Sequence, residues 1–128
     1  MNWKSIGIEP SEASPTRSSG SQASFVLNLP LLIDGRIAFT RLRTEPDEAQ
    51  VQRFTPGGGM ANGHVRYVDG HWTFVWAAQW RPELPVTRLS GRRFFIGDKV
   101  MLRPASNSVV IYRVCEPELA AAVASKRA

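Results

Sequence analysis

Turn dipeptides punctuate this chain at short intervals, and they constrain its fold more than any other feature. Asp34-Gly35, Asp69-Gly70, Ser90-Gly91 and Gly97-Asp98 each separate short apolar runs. Asp-Gly takes the positive φ values that a two-residue type I′ turn needs, and that turn matches the twist of paired strands. The runs therefore predict strands. "FVLNLPLLI" and "RIAFTRLR" flank the first turn, and "HVRYV" and "HWTFVWAAQW" the second. "VTRL", "RRFFI", "KVMLR" and "VVIYRV" follow. About seven to nine short strands in roughly 90 residues predict an all-β fold, a small antiparallel barrel or a two-sheet sandwich built from hairpins.

Trp72, Trp76 and Trp80 repeat at a spacing that suits one face of a helix or one face of a strand. Thr73, Val75 and the Asp-Gly turn favour the strand, against Ala77, Ala78 and Gln79. Symmetric pairing about the turn sets Val68 opposite His71 and His64 opposite Val75. Trp72, Phe74 and Trp76 then share an apolar face that belongs in a core. Trp80, at the strand end, is a candidate interface anchor. Pro30 lacks an amide donor, so its strand is expected at an edge or a bend.

Three segments are expected along the chain. Residues 1–23 read as a flexible arm, because "SEASPTRSSGSQAS" has little to bury. Trp3, Ile6 and Ile8 form an apolar tip on that arm, and Trp3 and Ile6 are candidate partner-binding residues. Residues 24–116 form the β-domain. Residues 117–128 form a short C-terminal helix and tail, with Pro117 at an early helical position. "TPGGGMANG", Thr55 to Gly63, is expected as the longest loop within the domain.

Composition narrows the function classes. At 128 residues and 43% hydrophobic the chain suits one domain with one core. No run reaches the roughly 18 to 20 apolar residues needed to span a bilayer, and the N-terminal residues do not resemble a secretory signal. No membrane role and a cytoplasmic setting are the expectation. Cys115 is the only cysteine, so no intrachain disulfide or thiolate cluster is available, and it is expected to pack in a strand.

No catalytic, cofactor-binding or metal-binding constellation emerges. His64 and His71 lack the spacing of a metal motif, and no serine sits in a nucleophile elbow. Glu45, Asp47, Glu48 and Glu83 lie beside prolines in expected loops. The three adjacent glycines lack the G-K-[ST] ending of a phosphate loop. The net charge of +5 includes 13 arginines. Read as a strand, "RIAFTRLR" places Ile37, Phe39, Arg41 and Arg43 on one side, an apolar face turning basic. With Arg88, Arg92 and Arg93 it outlines a nucleic-acid groove, and Phe39, Phe54, Phe94 or Tyr67 would stack on bases.

The leading expectation is a non-enzymatic protein-interaction or assembly module, docking on a protein partner or on copies of itself with help from the N-terminal arm. The alternatives are a nucleic-acid-binding barrel that uses Arg41, Arg43, Arg88, Arg92 and Arg93, and an enzyme whose site is assembled from distant loops.

Overall fold

The computed structural model describes residues 2–11, 23–55, 58–68, 71–76, 82–86, 93–102 and 110–122. Eight strands follow one another: β1 (Asn2–Pro10), β2 (Ser24–Leu31), β3 (Gln50–Thr55), β4 (Gly59–Val68), β5 (His71–Trp76), β6 (Pro82–Val86), β7 (Lys99–Leu102) and β8 (Val110–Cys115). Each pairs antiparallel with the next, and β8 returns to β1 to close the ring. The closure is thinnest between β6 and β7, joined among the described residues by the single pair Val86–Leu102.

Alternation builds the core. Ile8 pairs with Phe25 and with Val114, Leu27 with Ile6 and with Val51, and Val65 with Phe74. Pairing keeps side chains on a common face, so this row runs inward around the ring, and all of these residues are buried. At its centre Phe25 lies 5.3 Å from Phe74, 5.6 Å from Tyr112 and 6.3 Å from Trp76, ring centre to ring centre. The interior is thus filled by side chains, as small barrels require.

The second hairpin has the register its turn implied, with Val68 opposite His71 and His64 opposite Val75. Phe74 and Trp76 are buried as expected, and so is Thr73 on the other face. The Trp72 side chain, Trp80 and the Ser90-Gly91 turn lie outside the described residues. Pro30 sits where β2 has run past β3, whose pairing stops at Leu27–Val51. It is not a free edge, because the returning chain covers that side, Ala38 N donating to Pro30 O at 2.7 Å.

Three sequence expectations are corrected. Residues 2–10 are not the tip of an arm; they form β1, with Ile6 and Ile8 alternating into the core about Gly7. The remainder of that arm, 12–22, lies outside the described residues. "RIAFTRLR" is not a strand: after one bridge between Leu31 and Ile37 it becomes helix α1, Phe39–Thr44. Helical geometry buries Leu42 and lets Arg41 reach Glu45 one turn on, which a strand would not. "TPGGGMANG" is mostly strand, with Thr55 paired to Gly59 and Val51 to Gly63 across a tight turn at Gly58, whose φ is 103°.

The C-terminal helix is present as α2, Pro117–Ala121, with Pro117 in its first turn. It follows β8 directly and turns back onto β1. A Cβ at Gly7 would lie 2.9 Å from Ala120 Cβ and 2.8 Å from the Glu116 carbonyl oxygen. Small residues on both sides therefore set this close packing.

Candidate functional site

The feature that the filled core leaves unexplained is at the barrel end where β1 begins and β2 finishes. Beyond Leu31 the chain makes a tight loop, in which Leu32 N donates to Arg36 O at 2.7 Å and Gly35 N donates to Leu32 O at 2.9 Å. Gly35 sits at φ 87°, a conformation that costs glycine little. Ile33 stands at the tip, 99% exposed.

A second segment is zipped onto this loop. Phe94 N donates to Gly35 O at 2.9 Å, and Arg36 and Arg93 form an isolated bridge. Alternation then sends Phe94 into the core and Phe95 outward, its ring against the missing side chain of Gly35. Asp98 fixes the turn that follows, its carboxylate accepting from Phe95 N at 3.1 Å. Val114 N donates to Asp98 O at 2.7 Å and Gly97 N to Val114 O at 2.9 Å, tying the turn to β8.

Leu32, Ile33, Phe95 and Ile96 are consequently four exposed apolar side chains gathered on two mutually bonded loops. Beside them lies a depression of about 270 Å³, lined by Asn2, Lys4, Leu31, Gly35, Phe94 and Phe95 among others. One cation, Lys4, lines it, and two more, Arg36 and Arg93, follow and precede lining residues on the two loops. Arg93 stacks its guanidinium 5.8 Å from the Phe95 ring centre. Arg36 is 3.7 Å from the Asp34 carboxylate, an exposed pair worth under about 1 kcal/mol. Lys4 is exposed at the start of β1.

The residues singled out from sequence are distributed unevenly around this site. Arg93 belongs to it. Trp3 is half-buried against the core, and Ile6 is buried within it, so neither is the tip of a free segment. Arg41 and Arg43 lie on α1, two residues apart and so on different sides of a helix, and Arg41 is engaged by Glu45. Trp80, Arg88 and Arg92 lie outside the described residues. Of the proposed base-stacking aromatics, Phe54 and Phe94 are buried and Phe39 is half-buried on the core; the Tyr67 side chain lies outside the description. Among the described residues the exposed aromatic is Phe95. The alternation across "RRFFI" carried that signal, since only one of two adjacent phenylalanines in an extended segment can face inward.

Elsewhere, Arg53 lies over the Trp76 ring at 5.2 Å, and the Trp76 indole nitrogen and the Ser24 hydroxyl are buried without a hydrogen-bond partner. Among the described residues no group of three or more His, Cys, Asp or Glu is placed to hold a metal ion, and no helix is long and apolar enough to cross a membrane. Burial pushes the Cys115 thiol up to about 11, with Glu9 adding to the shift, and pushes the Tyr112 phenol well above its ordinary range.

The fold holds the thiol proton more tightly than the unfolded chain does. Cys115 therefore contributes stability that is complete below about pH 9 and is lost as pH rises towards 11. The melting-temperature advantage of the wild type over Cys115→Ala should shrink across that interval. A constant difference from pH 8 to 11 would contradict a buried, neutral thiol.

Compared with known proteins, the chain matches no family model, no curated protein sequence and no solved structure.

Proposed function

We propose that this chain is a non-enzymatic protein-interaction module, docking a protein partner at the barrel end that carries Leu32, Ile33, Phe95 and Ile96. The observation that carries this reading is that group. Single exposed apolar residues are ordinary, but several gathered on adjoining loops cost solvation and are characteristic of interfaces. Here the two loops that hold it are fixed to each other and to β8, so the surface is preorganised and loses little entropy on binding. An apolar centre with Lys4, Arg36 and Arg93 at its margin has the layout of an interface core and rim. The N-terminal residues contribute as strand β1 rather than as an arm. The nucleic-acid alternative loses its arginine strand, because those residues form α1.

Site-specific photocrosslinking in native cells tests the reading. A benzophenone amino acid at Ile33 or Ile96 is expected to give discrete protein adducts. The same probe at Met60, an exposed apolar residue on β4, should give few. Equal labelling at all three positions, or none, would remove the proposal. So would oligonucleotide binding that falls steeply between about 50 and 200 mM salt and is unchanged by Ile33→Ser.

A further inference from the structure

We infer that the partner is an extended segment, both acidic and apolar, which adds as a strand to the free edge of β1 at Asn2–Ile6. This rests on the interaction reading above. β1 is nine residues long and pairs with β2 from Asn2 to Ile8. On its other side β8 reaches only Gly7 to Pro10. The cause is at the end of β8: Cys115 is followed by Glu116 and Pro117, and the chain turns away into α2 over Gly7. Asn2–Ile6 are thus left with one hydrogen-bonding edge that has no strand beside it among the described residues. Among the described residues no backbone hydrogen bond outside the β1–β2 ladder reaches them. Asn2, Lys4 and Ser5 are exposed. An edge of this kind is a template for an added strand.

The surroundings select the occupant. Asn2 and Lys4 belong both to the open edge and to the lining of the depression. A strand laid beside β1 would send alternate side chains to that same face. The volume of about 270 Å³ is smaller than the roughly 300–1,000 Å³ of small-molecule pockets and suits one large apolar side chain.

Charge supplies the rest. Lys4 has no ion-pair partner among the described residues. On the two loops Arg36 and Arg93 stand with Asp34, 3.7 Å from Arg36, and Asp98, whose carboxylate is engaged by Phe95 N, so cations outnumber carboxylates. Carboxylates on the incoming strand would answer these cations. The same lysine disfavours a second copy of this chain, because antiparallel self-pairing centred on residues 2–6 sets Lys4 against Lys4. A foreign acidic strand meets no such repulsion.

The test pans a random decapeptide display library against the immobilised full chain and measures the recovered peptides by fluorescence anisotropy. Enriched peptides should alternate apolar residues with Asp or Glu. Methylating alternate backbone nitrogens of a peptide should abolish its binding. Lys4→Glu should weaken binding about tenfold or more while leaving the melting curve unchanged. Bound peptide should slow hydrogen exchange at alternate amides of Asn2–Ile6. Failure to enrich any peptide would overturn the inference, as would binders indifferent to Lys4→Glu and to N-methylation. Binding to phosphatidylserine vesicles in place of peptides would also overturn it, by assigning the surface to lipid. If Ile33 still crosslinks to a protein while the strand tests fail, the interaction reading stands and strand addition falls. If Ile33 does not crosslink, both fall.

Discussion

Replacing Phe25 by alanine is expected to remove about 4 kcal/mol of stability, a large part of the roughly 5–15 kcal/mol that a domain of this size possesses. Phe25 is fully buried on β2, and its ring meets Phe74, Tyr112 and Trp76. These partners come from β5 and β8, on different sides of the ring, so one side chain ties together strands far apart in sequence. Removing it loses the transfer energy of a phenyl group and leaves a cavity that strands fixed by their ladders cannot collapse to fill. The midpoint of urea unfolding should fall sharply at unchanged slope. A loss under about 1 kcal/mol would mean that the aromatic centre is not where the stability resides.

Gly63→Val should be comparably damaging for a different reason. Gly63 lies in β4 between Val51 and Trp76. A Cβ there would run into the Val75 carbonyl oxygen and the edge of the Trp76 indole. The obstacle includes backbone, so relief requires shifting the β4–β5 ladder or expelling Trp76. We expect a loss of about 3 kcal/mol or more, at the upper end for overpacking. Gly59→Ala is the control, because a Cβ there meets only the Thr55 side chain, which can rotate away. Its cost should stay within about 1 kcal/mol. Equal costs at the two glycines would contradict the close approach at Gly63.

These two glycines also show why part of the fold could not be read from sequence. "TPGGGMANG" looks like a loop because glycine is the residue of loops, yet Gly63 is glycine because an indole and a carbonyl occupy the space of its side chain. That reason lies across the sheet. "RIAFTRLR" fails differently: eight residues fit period two and period 3.6 about equally, and the decision falls to Leu42 reaching the core. β1 was hidden because only Ile6 and Ile8 of its inward row are apolar, while Asn2 and Lys4 on the same face pass beyond the barrel core. Its closure onto β8 pairs residues a hundred positions apart, which no local pattern encodes.

Where local chemistry decides, the sequence was sufficient. The Asp69-Gly70 dipeptide in the sequence implied the register that β4 and β5 have, Gly97-Asp98 opened β7, and Pro117 began α2. The candidate site stood in between. Arg93 was visible as part of an arginine cluster. Its neighbours Ile33 and Phe95 emerged only once Gly35 and Phe94 were seen to be bonded.

Amide hydrogen exchange of the free protein, read residue by residue by NMR, is the most direct measurement on β1, which supports both the corrected fold and the proposed docking edge. Residues 7 and 8 should be slow, since both neighbouring strands are present there, and residue 9 should be slow through its pairing with β8. Across residues 2–6 protection should alternate, slow where the amide points to β2 and fast where it points to the open edge. Uniformly fast exchange from residue 2 to residue 9 would return this segment to a flexible arm. Uniformly slow exchange across 2–6 would mean that the edge is already covered, and either result would contradict the account.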